Sequence, residues 1–163
     1  MIEAVIFDLD GTLFDIPLDY EKLLHEFSII MKTNEVRPVT KTVARLDERT
    51  KKRVFKVWDD AEATVWRKGR IKDNGMALYT KYFSKPKALV TMQGKAVVKD
   101  ITKSLRIGFD AVITREDSLD RTEQVKTAAG KLHVPTKNLL FVGNTEGDAE
   151  AAENVQCKYL KVE

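Results

Sequence analysis

Two carboxylates, Asp8 and Asp10, stand directly behind the apolar run 2–7 and directly ahead of Gly11-Thr12. A charged pair at the mouth of a buried segment is costly unless something compensates it, and the usual compensation is a cation. A third acid, Asp148, closes the polar loop Gly143-Asn144-Thr145-Glu146-Gly147-Asp148 behind a later apolar run, 138–143. Thr91, behind another such run, adds a hydroxyl donor. Carboxylates and other hard oxygens in this number suit Mg²⁺, which takes one or two carboxylates, keeps waters and is often completed by a phosphate. The backbone N–H groups of Gly11 and Thr12, just past the run, are placed to face an anion.

These residues converge only if the apolar runs are parallel strands ending on one edge. The runs 2–7, 87–92, 110–114, 138–143 and 158–162 are short and rich in β-branched residues, as expected of strands covered on both faces. Helical patterns at 94–107, 119–132 and 146–154 separate the later ones. That alternation predicts βαβ units with right-handed crossovers. The fold class is therefore α/β: a Rossmann-like parallel sheet of about five strands with helices on both faces. Residues 15–86 contain no good strand. Pro17 and Asp19 open a helix to about Lys32 with Leu23, Leu24, Phe27, Ile30 and Met31 on one face. Pro38 and Thr40 open a second, whose Val39, Val43, Leu46, Val54 and Val57 repeat at helical spacing. Trp58 and Trp66 anchor a small helical core, Gly69 stops the run, and a short helix at 75–83 ends before Lys85-Pro86. The chain thus divides into a core, 1–14 and 87–163, and a helical cap, 15–86. A cap that leaves after the first strand sits over that strand's carboxyl end, where ligands bind in open parallel sheets.

The motif Asp8-Leu9-Asp10-Gly11-Thr12-Leu13-Phe14 at a strand end, followed by Thr91, a basic residue near 121 and the acidic loop 144–148, resembles the haloacid dehalogenase-like superfamily of phosphohydrolases. The position of the insertion is similar to that of the branch with a small helical cap, which includes phosphoglycolate phosphatase-like members. The resemblance implies a Mg²⁺-dependent phosphatase acting on a small phosphorylated metabolite. Asp8 is then the nucleophile that forms an aspartyl-phosphate, and Asp10 the general acid and later base. Thr91 and Arg121 hold phosphoryl oxygens as charge develops, with Gly11, Thr12 and Met92 also on the substrate side. Asp8, the Asp10 carbonyl, Asn144 and Asp148 are the expected Mg²⁺ ligands. An acid at position 10 favours a phosphate over a carbon–halogen bond, which makes a 2-haloacid dehalogenase the weaker alternative.

Two positions depart from the family pattern. Asn144 stands where an acid is usual, so one ligand lacks a formal charge. Asp148 competes between ion binding and a capping box with Thr145. For the basic residue, Arg121 fits by position and Lys126 by type; position favours Arg121, whose geometry differs from that of a Lys. These departures leave open a catalytically weak protein that uses the fold for binding or regulation.

Composition bounds the rest. The chain has 163 residues, 43% hydrophobic and 33% charged, which describes a globular protein with a real core. No apolar run approaches the roughly 20 residues of a membrane span, and nothing at the N-terminus resembles a signal segment; the expectation is a cytoplasmic protein. One cysteine, Cys157, excludes an internal disulfide and reads as an apolar filler. Net charge is +3, but residues 32–72 carry 13 Lys and Arg against 6 Asp and Glu. That asymmetry reads as solvated helical faces or as a surface for an anionic partner. Nucleic acid is not expected, because no motif that reads it is present.

Overall fold

The computed structural model describes all residues, 1–163. Five strands form one parallel sheet: β1 (Ala4–Phe7), β4 (Lys87–Val90), β5 (Ala111–Ile113), β6 (Leu139–Gly143) and β7 (Lys158–Lys161). Their order is β5-β4-β1-β6-β7, with β1 at the centre. Register pairs Ile6 with Ala88 on one side and with Phe141 on the other. Side chains alternate along a strand. Ala4 and Ile6 therefore face α6 (Arg121–Leu132) and α7 (Glu146–Asn154), while Val5 and Phe7 face α4 (Asp73–Lys81) and α5 (Lys95–Leu105). All of β1 is buried because both faces are covered. The expected α/β sheet is thus the fold observed.

The insertion opens and closes on a two-residue antiparallel ribbon, β2 (Phe14–Asp15) against β3 (Arg70–Ile71). The sequence pattern did not reveal it, because two residues carry no periodicity. Between them lie α1 (Tyr20–Met31), α2 (Val39–Ala44) and α3 (Glu48–Val65). The single second helix expected from Pro38 onward is two helices. Asp47 breaks it by accepting a hydrogen bond from the Thr50 N–H at 2.9 Å, as the N-cap of α3. Leu23, Phe27, Val36, Val43, Val54 and Trp58 form the cap's own core. The Phe27 and Trp58 rings meet edge to face at 5.4 Å.

Although the sequence groups it with the insertion, α4 packs on the sheet. Tyr79 stacks beside Phe7 and Phe109, and its hydroxyl bonds the Gly108 carbonyl at 2.9 Å. Cys157 precedes β7, its thiol pushed up to about 11 by burial and donating to the Leu139 carbonyl. That is an inert packing role. No helix is long and apolar enough to cross a membrane.

Candidate active site

Alternation along β1 decides where Asp8 points. It continues the face of Ala4 and Ile6, so its carboxyl enters the crevice between the N-termini of α6 and α7. Asp8 is only 4% exposed. Its Oδ1 lies 3.3 Å from Arg121 Nη2, and its backbone N–H is tied to the Val142 carbonyl of β6. Burial raises its pKa to about 7, against the pull of the Arg121 guanidinium; Asp148 and Asp10 push it further up.

Arg121 is the first residue of α6, whose N-cap is Asp120. Its Nε lies 3.0 Å from Asp148 Oδ1, so one guanidinium spans two buried carboxylates. Lys126 lies further along α6, exposed and paired with Glu123. Asp148 is fully buried and completes the capping box of α7. Its Oδ2 accepts the N–H groups of Asn144 at 3.1 Å and Thr145 at 3.3 Å. Oδ2 is thus committed to the 144–145 turn, while the buried Oδ1, beside the Arg121 guanidinium, makes no hydrogen bond. A side chain at Gly143 would collide with this carboxylate, which is why the strand ends in glycine.

Asn144 comes closest to Asp8. One end of its amide is 3.1 Å from Asp8 Oδ2, 3.2 Å from the Asp10 carbonyl oxygen and 3.3 Å from Thr12 Oγ1. With nitrogen at that end, the amide donates to all three. With oxygen there, that oxygen lies 3.1 Å from Asp8 Oδ2 and 3.2 Å from the Asp10 carbonyl oxygen, near the roughly 3 Å edge of a Mg²⁺ octahedron with bonds of about 2.1 Å. Gly11 makes this approach possible: its φ is +79°, and a Cβ would sit 2.1 Å from Asn144 Nδ2. No three His, Cys, Asp or Glu side chains converge on one ion. The fitting donor set is one carboxylate (Asp8), one carbonyl (Asp10) and one amide (Asn144), which suits an ion that keeps several waters.

Other expected groups have different duties. The Gly11 N–H donates to the Phe14 carbonyl at 2.8 Å and the Thr12 N–H to the Leu9 carbonyl at 3.1 Å. Both are used inside the turn, so neither is left to face an anion; the two residues shape the loop instead. Thr91 is fully buried and its hydroxyl is hydrogen-bonded to Gln93 Oε1. The Met92 carbonyl accepts from Arg115 Nη1 at 3.1 Å, and Met92 lines a surface groove that Arg121 also lines. The Asp10 carboxylate accepts the Ile16 N–H at 2.8 Å, at the entry to the cap. Burial raises its pKa, with the Ile16 and Tyr20 hydrogen bonds opposing.

The residue that sequence reasoning missed is Gln124. It is fully buried, and its Nε2 donates to the carbonyls of Thr91 at 2.9 Å, Ser118 at 2.9 Å and Thr114 at 3.2 Å. Its Oε1 accepts from Arg121 Nη1 at 2.7 Å. A glutamine one turn into a helix otherwise reads as a surface residue; the available signal was its spacing of three from Arg121, which puts both on one face. Gln124→Leu strands buried carbonyls and frees the guanidinium. It should cost about 2–4 kcal/mol in urea denaturation; a loss within about 0.5 kcal/mol, the range of ordinary surface changes, would show that these contacts carry no weight.

No protein-family model and no curated protein matches this sequence. Solved structures do. A haloacid dehalogenase-like family hydrolase from Streptococcus pneumoniae aligns with a TM-score of 0.72 at 16% identity, over 99% of this chain and 85% of that one. A predicted phosphatase from Clostridium acetobutylicum gives 0.70 at 18%, over 99% and 84%. A HAD family enzyme from Bacteroides thetaiotaomicron, in complex with magnesium and inorganic phosphate, gives 0.60 at 14%, over 100% and 95%. At these identities the likeness is one of fold.

Proposed function

We propose that this chain, which has the fold of the haloacid dehalogenase-like hydrolases, is a Mg²⁺-dependent phosphomonoesterase for a small phosphorylated metabolite. One observation carries the reading: Asp8, the Asp10 carbonyl, Asn144 and Arg121 meet at the carboxyl ends of β1 and β6. Asp8 attacks phosphorus, forming an Asp8–phosphorus bond as the ester oxygen leaves. Asp10, whose raised pKa favours a held proton, protonates that oxygen and then accepts a proton from the water that hydrolyses the aspartyl-phosphate. Arg121 holds phosphoryl oxygens, and Thr91 exchanges Gln93 for one of them. Mg²⁺, held by Asp8, the Asp10 carbonyl and Asn144, supplies charge compensation between the carboxylate and a phosphate dianion.

The neighbour in complex with magnesium and phosphate supports this choice of ion and substrate class. The test is hydrolysis of a generic aryl phosphate across a Mg²⁺ titration. Turnover that rises with Mg²⁺ and disappears with chelator is expected; a chain inert toward aryl, sugar and nucleoside phosphates at every Mg²⁺ concentration overturns it. A second reading, a binding protein on the same fold, is motivated by the Asn144 amide. With its nitrogen inward it satisfies Asp8, Thr12 and the Asp10 carbonyl unaided. That protein shows no Mg²⁺-dependent gain in melting temperature.

A further inference from the structure

Two consecutive peptide units follow Met92, and all four of their polar ends are held. In the first, the Met92 carbonyl accepts from Arg115 Nη1 at 3.1 Å, and the Gln93 N–H donates to Thr91 Oγ1 at 3.1 Å. In the second, the Gln93 carbonyl accepts the Arg115 N–H at 3.4 Å, and the Gly94 N–H donates to Glu62 Oε1 at 3.1 Å. The same Glu62 oxygen lies 2.8 Å from Arg115 Nη2. Arg115, two residues past β5, and Glu62, on α3, thus clamp one turn from two sides, and that turn holds the Thr91 oxygen. With its oxygen held, the hydroxyl can redirect its proton from Gln93 Oε1 to a phosphoryl oxygen without moving.

The pair is a poor device for stability alone. Arg115 and Glu62 are both buried, and their cluster leaves Glu62 Oε2, Arg115 Nε and Trp58 Nε1 without hydrogen-bond partners. Apolar side chains of similar volume often match or exceed the stability of a buried ion pair. They cannot hold a carbonyl and an N–H in place. Gly94 belongs to the same arrangement: a Cβ there would collide with Asp59 and Arg115, so glycine lets the α3 carboxylates come close to the turn.

We infer that Arg115 and Glu62 are positioning residues for phosphoryl transfer: they fix the peptides behind Thr91 and so keep its hydroxyl where a phosphoryl oxygen is bound. This rests on the phosphomonoesterase reading. Their effect on rate passes through Thr91, and misplacing such a donor by about 1 Å costs about 10²-fold.

The test compares aryl phosphate hydrolysis with Mg²⁺ in the parent, Thr91→Val, the double variant Glu62→Leu with Arg115→Met, and the triple variant, each shown to be folded by urea denaturation. The double variant removes both charges and so keeps its stability, yet its kcat/KM should fall about 10²-fold. Added to Thr91→Val, the same two changes should cost no more than about threefold, because residues that act as a unit are not additive. A double variant within about threefold of the parent, or losses that multiply, overturns the positioning role. Where the double variant does not fold, Glu62→Gln against Glu62→Leu decides: glutamine keeps an acceptor for the Gly94 N–H and should exceed leucine about tenfold in kcat/KM, and equal values overturn the role. Hydrogen exchange reads the clamp without turnover. The Gly94 N–H should exchange at least about tenfold faster in Glu62→Leu, relative to β1, and unchanged exchange overturns the clamp. A parent that shows this exchange response but no turnover overturns the esterase reading; turnover with multiplying losses overturns the positioning role alone.

Discussion

Asp8→Asn should abolish turnover and, in metal-free protein above neutral pH, make the chain more stable. The loss of activity should be at least about 10³-fold, as when a covalent nucleophile is removed from a catalytic unit. It should appear in kcat rather than in KM, because an amide of the same shape keeps the geometry of the site. Aryl phosphate hydrolysis measures it, and a variant within tenfold of the parent removes Asp8 from its assigned role.

The gain in stability follows from the same burial. Folding raises the Asp8 pKa from 3.8 to about 7. Between these values the folded chain binds a proton that the unfolded chain does not. Stability therefore falls as pH rises from about 4 to 7. The full shift corresponds to about 4 kcal/mol, an upper bound for a buried group with a charged neighbour. Asparagine has no such penalty. In chelator, urea denaturation should show parent and variant alike near pH 4, and the variant more stable by about 2–4 kcal/mol at pH 8. Adding Mg²⁺ should then raise the parent's melting temperature and leave the variant's nearly unchanged, because an ion that binds only the folded state stabilises by mass action. Equal stabilities at pH 8 would show that Asp8 ionises freely in the folded chain.

The parts of this site that were legible from the residues belong to the sheet. A short apolar run ending in Asp-x-Asp-Gly names its own strand and its own exit, and alternation decides which helices its first carboxylate meets. Arg121 was legible by position, because a helix N-terminus after a parallel strand lies on the active edge. Beside Gln124 and the β2–β3 ribbon, three further things were not. The break at Asp47 was hidden because Val39, Val43, Leu46, Val54 and Val57 keep helical spacing across it. The N–H groups of Gly11 and Thr12 were assigned to an anion because a tight turn and an anion nest share a glycine signature; only the partners, Phe14 and Leu9, distinguish them. The third, Arg115, reads as one more charge on a chain with 28 Lys and Arg. A buried cation and a solvated one have the same letter, and what separates them lies far away in sequence.

Arg115 carries the largest expected effect on stability. It is 1% exposed and joins cap to core. Its Nη2 pairs with Glu62 Oε1 of α3 at 2.8 Å and also meets Asp59, while its guanidinium carbon stands 4.4 Å from the centre of the Trp58 ring. Glu62, fully buried, also accepts the Gly94 N–H at 3.1 Å, three residues after Thr91. Arg115→Met should cost about 3–5 kcal/mol in urea denaturation, because it leaves the Glu62 charge buried without its cation. Glu62→Leu should cost less, since Arg115 keeps the partly exposed Asp59 as a partner. The double variant should recover most of the loss, as apolar replacements of buried pairs often do. Burial already raises the Glu62 pKa, with Arg115 opposing; without Arg115 it rises further. The Arg115→Met deficit should therefore shrink as pH falls and Glu62 takes up a proton, with the sign that linkage requires. A deficit that is independent of pH and persists in the double variant would locate the loss in packing against Trp58 instead of in the stranded carboxylate.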